Sequence, residues 1–231
     1  MVSAQFLGHA CWRLTDDAHA ILIDPFLSQN PKATLEPGEI TRLDAVLVSH
    51  AHSDHLGDTV EIAKRTGATV ISTFELAGYC QEQGAENGHG MNVGGAHAFP
   101  WGKVKLVQAF HTSSTGSGPN TRAMGEPCGF VIGFGGLTIY HSGDTALFGD
   151  MALIGRLHPV DLAMLPIGDY YTMGPEDALE AVRLLRPRRA APMHFDTFPA
   201  IEVDARAWAE QVRALGVECR VLNPGETWEI A

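Results

Sequence analysis

The chain has 231 residues, 45% of them hydrophobic and 19% charged, with a formal net charge of -11 at neutral pH. That length supports a full hydrophobic core, read here as one domain over residues 1–231, and the composition is that of an ordinary globular protein. The acidic balance excludes the broad basic surface that a nucleic-acid or anionic-membrane partner would need, and no apolar run reaches the length of a spanning helix.

In chain order, Gln5-Phe6-Leu7 and Cys11-Trp12-Arg13-Leu14 predict a strand pair around Gly8-His9-Ala10. Ala20-Ile21-Leu22-Ile23 predicts a short buried strand that stops at Asp24-Pro25. Residues 28–40 read as a loop. Leu43 to Val48 is an apolar strand leading into Ser49-His50-Ala51-His52-Ser53-Asp54-His55, and a helical run then ends at Gly67. A strand over residues 68–72 and a helix over residues 75–83 follow, closed by Gly84. Residues 86–95 read as a glycine-rich loop. Lys103 to Val107 alternates as a strand and delivers His111. Residues 112–125, rich in Ser, Thr and Gly, read as a mobile surface segment. Two strands flank Gly133-Phe134-Gly135-Gly136, a hairpin signal. The last third alternates helix and strand, with Pro175 opening a helix and a further helix over residues 204–215. The N-terminus lacks a basic region followed by an apolar core, so no signal peptide is expected. Cys11, Cys80, Cys128 and Cys219 form no Cys-x-x-Cys pair and read as free thiols of a reducing compartment. A cytoplasmic location is expected.

The stretch His50 to His55 carries the chemistry. It reads His-x-His-x-Asp-His where a buried strand ends and a helix begins. Neutral imidazoles and carboxylates suit divalent zinc, manganese or iron. His50 and His52 are two apart, so an extended loop points both the same way. Asp54 and His55 follow as the chain turns, and point elsewhere. That fits two adjacent metals better than one. The alternative is a polar loop with incidental histidines, but no packing need places three imidazoles and a carboxylate at a strand end. Asp24, His111, Asp144 and His194 each also sit just past a buried strand. Neighbouring strand ends converge, so these groups can meet at one sheet edge.

With these residues in order, the chain resembles the metallo-β-lactamase superfamily, and within it the UPF0173 metal-dependent hydrolases, which are similar to the ascorbate-6-phosphate lactonases. Gly8-His9-Ala10, Ile23-Asp24-Pro25-Phe26, the histidine cluster, Met91 to Gly95, His111, Tyr140 to Thr145, Leu165 to Asp169, Met173 to Ala178 and Pro192 to Pro199 carry the resemblance over nearly the whole chain. It implies a four-layer αββα sandwich of the α/β (α+β) class with two divalent metals at one edge, zinc ahead of manganese or iron. It implies that His50, His52 and His111 hold the first metal, that Asp54, His55 and His194 hold the second, and that Asp144 bridges both. A hydroxide shared by the pair would attack a carbonyl carbon or a phosphorus.

Other residues carry expectations of their own. Asp54 is a candidate to orient the water or shuttle its proton. Asp24 is expected to accept the free N–H of a ligand histidine, with a turn cap as the alternative. His9 is assigned a catalytic place in the pocket, against a structural hydrogen bond. His141 is assigned substrate contact or proton transfer, against a buried structural donor. Met173 and Phe195 are candidates for an apolar pocket wall, against core packing. Asp169 and Thr172 are candidate substrate contacts, and residues 112–125 a candidate for substrate choice. The expected activity is hydrolysis of a small-molecule ester, lactone or phosphodiester. A nuclease of the same fold would want a basic face. A flavodiiron relative carries a glutamate where His52 stands. A non-catalytic metal-binding protein would be expected to have lost a ligand. A homo-oligomer is compatible with the sequence.

Overall fold

The structure is a computed structural model and describes residues 1–230. Its first half runs β1 (Ser3–Gly8), β2 (Cys11–Thr15), β3 (Ala20–Ile23), β4 (Ala45–Leu47), α1 (Ser53–Leu56), α2 (Thr59–Thr66), β5 (Thr69–Thr73), α3 (Phe74–Glu82), β6 (Gly88–Met91), β7 (Ala96–Phe99) and β8 (Gly102–Gln108). Its second half runs β9 (Ser114–Thr115), β10 (Arg122–Ala123), β11 (Cys128–Phe134), β12 (Leu137–His141), α4 (Met151–Leu157), β13 (Leu162–Pro166), α5 (Pro175–Leu185), β14 (Arg189–Met193), α6 (Ala205–Ala214), β15 (Glu218–Cys219) and β16 (Thr227–Glu229).

Two seven-stranded sheets form, in the orders β16-β1-β2-β3-β4-β5-β6 and β15-β14-β13-β12-β11-β8-β7. Strands β3 to β6 are mutually parallel, as are β12 to β15. The inner faces of the two sheets share one apolar core, with Phe6, Trp12, Ile23 and Leu47 from the first sheet and Leu106, Phe130, Ile132 and Met164 from the second. Outside the first sheet, Leu22, Val46 and Val70 pack on Ile62 of α2 and on Leu76 and Cys80 of α3. Outside the second, Tyr140, Ala163 and Leu165 pack on Ile154, Val182 and Trp208 from α4, α5 and α6. The layers are therefore helix, sheet, sheet, helix, the αββα order. Central strands such as β4 are buried on both faces, and this is why they read as unbroken apolar runs. Burying one such side chain is worth about 1.5–3 kcal/mol, so the three apolar layers hold the sheet edges in register.

The element ends follow local chemistry. Gly67 closes α2 in the left-handed region at φ +73°, with Lys64 and Arg65 in the last turn. Pro175 opens α5 with two acids in its first turn. The Asp204 side chain accepts the Ala207 N–H at 2.9 Å and caps α6. Gly135 and Gly136, both at positive φ, turn β11 into β12.

Two expectations are corrected here. Within the presumed loop 86–95, residues 88–91 pair with β5 as strand β6. Backbone pairing made that strand, and side-chain patterning could not signal it. Residues 112–125 are not simply surface loop: β9 and β10 pair as a short hairpin, with Ser113 and Met124 buried beneath it.

Because β8 and β12 both run antiparallel to β11, their C-terminal ends lie at one edge. The ends of β12, β13 and β14 share that edge, since those strands are parallel. Gly57, which follows α1, fixes the approach of the histidine loop. A Cβ there would sit 2.3 Å from the Pro25 carbonyl oxygen, and its φ is +41°. Gly57→Ala is expected to destabilise the fold by about 2 kcal/mol or more in a chemical denaturation experiment, whereas Gly67→Ala, with open space at its Cβ, is expected to cost less.

Candidate metal centre

Every residue assigned as a metal ligand from the sequence converges on the edge between the sheets. Among the described residues, three groups offer metal-ligating atoms that lie within 4.8 Å of one another: His50, His52 and His111; His9, Asp54, His55 and His194; and His50, His55 and Asp144. The loop after β4 supplies His50 and His52. Helix α1 turns the chain so that Asp54 and His55 face the second group. His111 comes from beyond β8, Asp144 from beyond β12 and His194 from the end of β14.

Asp144 lies at the centre. Its Oδ2 is 3.0 Å from His194 Nε2, 3.2 Å from His55 Nε2 and 3.7 Å from His111 Nε2. Gly143, at φ +60°, lets this segment pass under Cys128, whose carbonyl oxygen would lie 2.6 Å from a Cβ. Burial alone would raise the Asp144 carboxyl, but His194 and His55 beside it hold it well below the usual carboxylate range. Burial likewise opposes charge on His55, yet Asp144 and Asp24 outweigh it and push that imidazole well above its ordinary value. His50 goes the other way: burial, then His55, keep it neutral.

Asp24 sits behind the ligands, fully buried. Its Oδ2 accepts His55 Nδ1–H at 2.8 Å and the Ser49 hydroxyl at 2.6 Å, while Oδ1 accepts the Ser49 N–H at 2.7 Å. The Ser49 hydroxyl donates to Asp24, so it accepts from His50 Nδ1 at 3.0 Å. One carboxylate thus sets the tautomers of two histidines and leaves Nε2 of each facing the centre. The turn-cap alternative does not describe it.

The donor set fits divalent metal. His50 Nε2 and His52 Nδ1 lie 3.0 Å apart, close enough that one cation could take a nitrogen from each imidazole. His55 Nε2 and Asp144 Oδ1 are buried without a hydrogen-bond partner. Such orphaned buried groups are costly unless something coordinates them, and nitrogen and oxygen donors without thiolate match zinc, manganese or iron.

His9 occupies the turn between β1 and β2 at φ +58°. Its Nε2 is 3.1 Å from Asp54 Oδ2 and its Nδ1 is 2.9 Å from the Thr197 hydroxyl. Burial, with His194 beside it, pulls its pKa down to about 4, so it is neutral at pH 7. A carboxylate only accepts, so Nε2 carries the proton and Thr197 donates to Nδ1. The Asp54 carboxyl, which burial would raise, is held well below its ordinary range by this hydrogen bond and by His55.

Several expectations for residues outside the ligand set are corrected. His141 is fully buried, with Nε2 against the Ala10 carbonyl at 3.0 Å and Nδ1 accepting the Gly143 N–H at 3.2 Å. Both ring nitrogens are committed to backbone, so it ties two loops together and has no face for substrate. Met173 is 1% exposed and packs in the core with the apolar face of α5, and its N–H bonds the Thr145 carbonyl. Asp169 is exposed on the same loop, and the Thr172 hydroxyl donates to the Met173 carbonyl. Neither lines the cavity beside His52 and Asp54. Phe195 stacks on Phe6 at 6.5 Å and lines a different cavity, on the far side of His9.

The cavity that does open onto His52 and Asp54 has a volume of about 450 Å³. Its walls include Phe26, Leu56, Tyr79, Ser114 and Thr115. Ser114 and Thr115 belong to the segment singled out for substrate choice. Tyr79 lies on an ordinary amphipathic helix and gave no sequence signal. The relay roles of Ser49 and Thr197 were also invisible, since a serine beside a histidine carries no periodic signature.

Comparison with known proteins bears on this edge of the fold. A family profile described as a β-lactamase superfamily domain matches residues 19–195. A UPF0173 metal-dependent hydrolase of Pelotomaculum thermopropionicum is 52% identical over 97% of this chain and 98% of its own. One from Thermus thermophilus is 50% identical over 98% of each. The solved structure of Igni18, a metallo hydrolase of the archaeon Ignicoccus hospitalis, superposes with a TM-score of 0.89 at 36% identity, covering 99% of this chain and 98% of that one.

Two measurements follow from the wiring. Asp24 and Asp144 on either side push the His55 imidazole well above its ordinary value, and a metal takes its Nε2 only when no proton is on it. Zinc titrated calorimetrically at pH 7 in buffers of differing ionisation enthalpy is therefore expected to release about one proton or more per chain. Release of none would contradict the arrangement. Asp24→Asn is expected to weaken zinc about 10- to 100-fold in a chelator competition.

Proposed function

This chain belongs to the metallo-β-lactamase superfamily and, within it, to the UPF0173 metal-dependent hydrolases, and on that premise we propose that it hydrolyses a small-molecule ester, lactone or phosphodiester at a dinuclear metal centre. The observation that carries the reading is the pair of ligand groups, His50-His52-His111 and Asp54-His55-His194, meeting across Asp144. A single metal would leave one group without purpose. Zinc leads, with manganese or iron compatible with the same donors.

When bound, such a pair lowers the pKa of water from about 15.7 toward neutrality and polarises the oxygen that gains charge. The protein's residues supply the rest. Asp24 locks His50 and His55 in the ligating tautomer. Asp144 neutralises charge between the two groups. Asp54, ionised and partly open to the cavity, accepts a hydrogen bond from water and orients it, and the chain Thr197–His9–Asp54 holds that carboxylate in place. Phe26 and Leu56 keep the cavity wall apolar beside the reacting bond. In the overall step water adds to the acyl or phosphoryl centre, the bond to the leaving oxygen breaks, and that oxygen departs with a proton.

The acidic surface supports a small-molecule substrate over nucleic acid. Among the described residues no helix is long and apolar enough to cross a membrane. All four cysteines are free and buried, which supports a reducing compartment such as the cytoplasm.

The test is to strip the protein, reload it with zinc or manganese, and assay lactones, esters and phosphodiesters. Hydrolysis is expected to vanish on stripping, return on reloading, and fall by at least about 100-fold in Asp144→Ala. Activity that persists in the stripped protein or survives Asp144→Ala would refute the dinuclear reading.

A further inference from the structure

We propose that the substrate arm held beside the metal ligands is uncharged, so that this enzyme acts on neutral, hydroxyl-bearing esters or lactones and not on their phosphorylated counterparts. The inference rests on the hydrolase reading above and narrows it.

The cavity that meets His52 and Asp54 has an apolar side, Phe26 and Leu56, and a neutral polar side, Gln29, Tyr79, Ser114 and Thr115. No lysine or arginine lines it. A phosphate or carboxylate arm is ordinarily met by a guanidinium fork, an ammonium or the free N–H groups of a helix N-terminus. Neither a guanidinium nor an ammonium is offered here. Two helices begin at this cavity: the four-residue α1, whose Ser53 and Asp54 line it, and α2, which has a carboxylate, Asp58, at its N-terminal cap position. That carboxylate is fixed by the Leu27 and Ser28 N–H groups, both at 2.9 Å, and by the Ser28 hydroxyl at 2.5 Å. An anionic arm in the cavity would thus face the Asp58 carboxylate with no side-chain cation beside it.

Arg122 stands close to this wall without lining it. Arg122 pairs across the β9–β10 hairpin from Thr115 and lies over the outer face of Tyr79, with its guanidinium carbon 5.9 Å from the ring centre. It reaches Glu82 at 3.9 Å and is itself exposed. It does not line the cavity. The hydroxyls of Tyr79, Ser114 and Thr115 and the Gln29 amide can both donate and accept, which suits alcohols and carbonyls.

The experiment uses the zinc-reloaded enzyme and three matched pairs of substrates: a sugar γ-lactone, an aryl ester and an aryl phosphodiester. Each is made once with a neutral arm and once with an arm carrying phosphate or carboxylate. The neutral member is expected to have a kcat/KM at least about tenfold higher in every pair that is turned over, because like charges in a desolvated site repel. Gln29→Lys, which adds an ammonium to the exposed rim, is expected to narrow that ratio. Calorimetric titration with the neutral sugar alcohol and its phosphate ester, which carry no lactone or ester bond to the acyl centre, is expected to show the same order of affinity. A charged member equal to or better than its neutral twin would overturn this proposal and leave the hydrolase reading standing. Turnover of no member of any pair would overturn the hydrolase reading, and this proposal with it.

Discussion

The Asp24 carboxylate is the constraint on which the centre depends. It is fully buried at the end of β3, and a buried carboxylate is tolerated only when both its oxygens are hydrogen-bonded. Here the Ser49 N–H, the Ser49 hydroxyl and His55 Nδ1 use them, and Ser49 passes the constraint on to His50. One histidine of each ligand group is therefore wired to the same carboxylate. The two groups cannot rotate independently, and both present Nε2 toward the space around Asp144. The two-sheet sandwich exists in this region to bring strand ends from both halves of the chain to that spot: β3 and β4 from the first sheet, β8, β12 and β14 from the second.

Much of this was legible in the sequence. The spacing His50, His52, Asp54, His55 marks a ligand loop because no packing need explains it. Asp24, His111, Asp144 and His194 could be found because each ends an apolar run. The layers were legible for the same reason: helices ending at Gly67 and Gly84 and opening at Pro175 alternate with buried strands. What could not be read is whatever depends on backbone partners. Residues 88–91 became a strand because β5 offered a free edge, although glycine and histidine there suggested loop. His141 looked catalytic because it lies three residues before Asp144, but two backbone groups consume its ring. Met173 looked like pocket wall, but its side chain is buried in the core beside α5.

The chemistry of the pocket and the chemistry of the centre divide the work. The centre concentrates positive charge when metal is present and answers it with Asp24, Asp54 and Asp144. The cavity beside it carries no basic group and instead offers hydroxyls, an amide and two apolar side chains. On the proposed reading, charge that develops during hydrolysis would be met at bound metal, and the remainder of the substrate would be selected by shape and neutral hydrogen bonding. The strain at His9 and His194, both in the left-handed region, serves this arrangement, since the His194 N–H bonds the His9 carbonyl at 2.7 Å and joins the two turns directly.

The most direct test of the dinuclear centre is to see where metal goes. Crystals of zinc-loaded protein measured at the zinc edge should show two anomalous peaks per chain, about 3.5–4 Å apart as in two-metal sites generally. One peak should lie among His50, His52 and His111, the other among Asp54, His55 and His194, with Asp144 between them. A single peak at full loading, or peaks away from these residues, would contradict a dinuclear centre held by this edge of the fold.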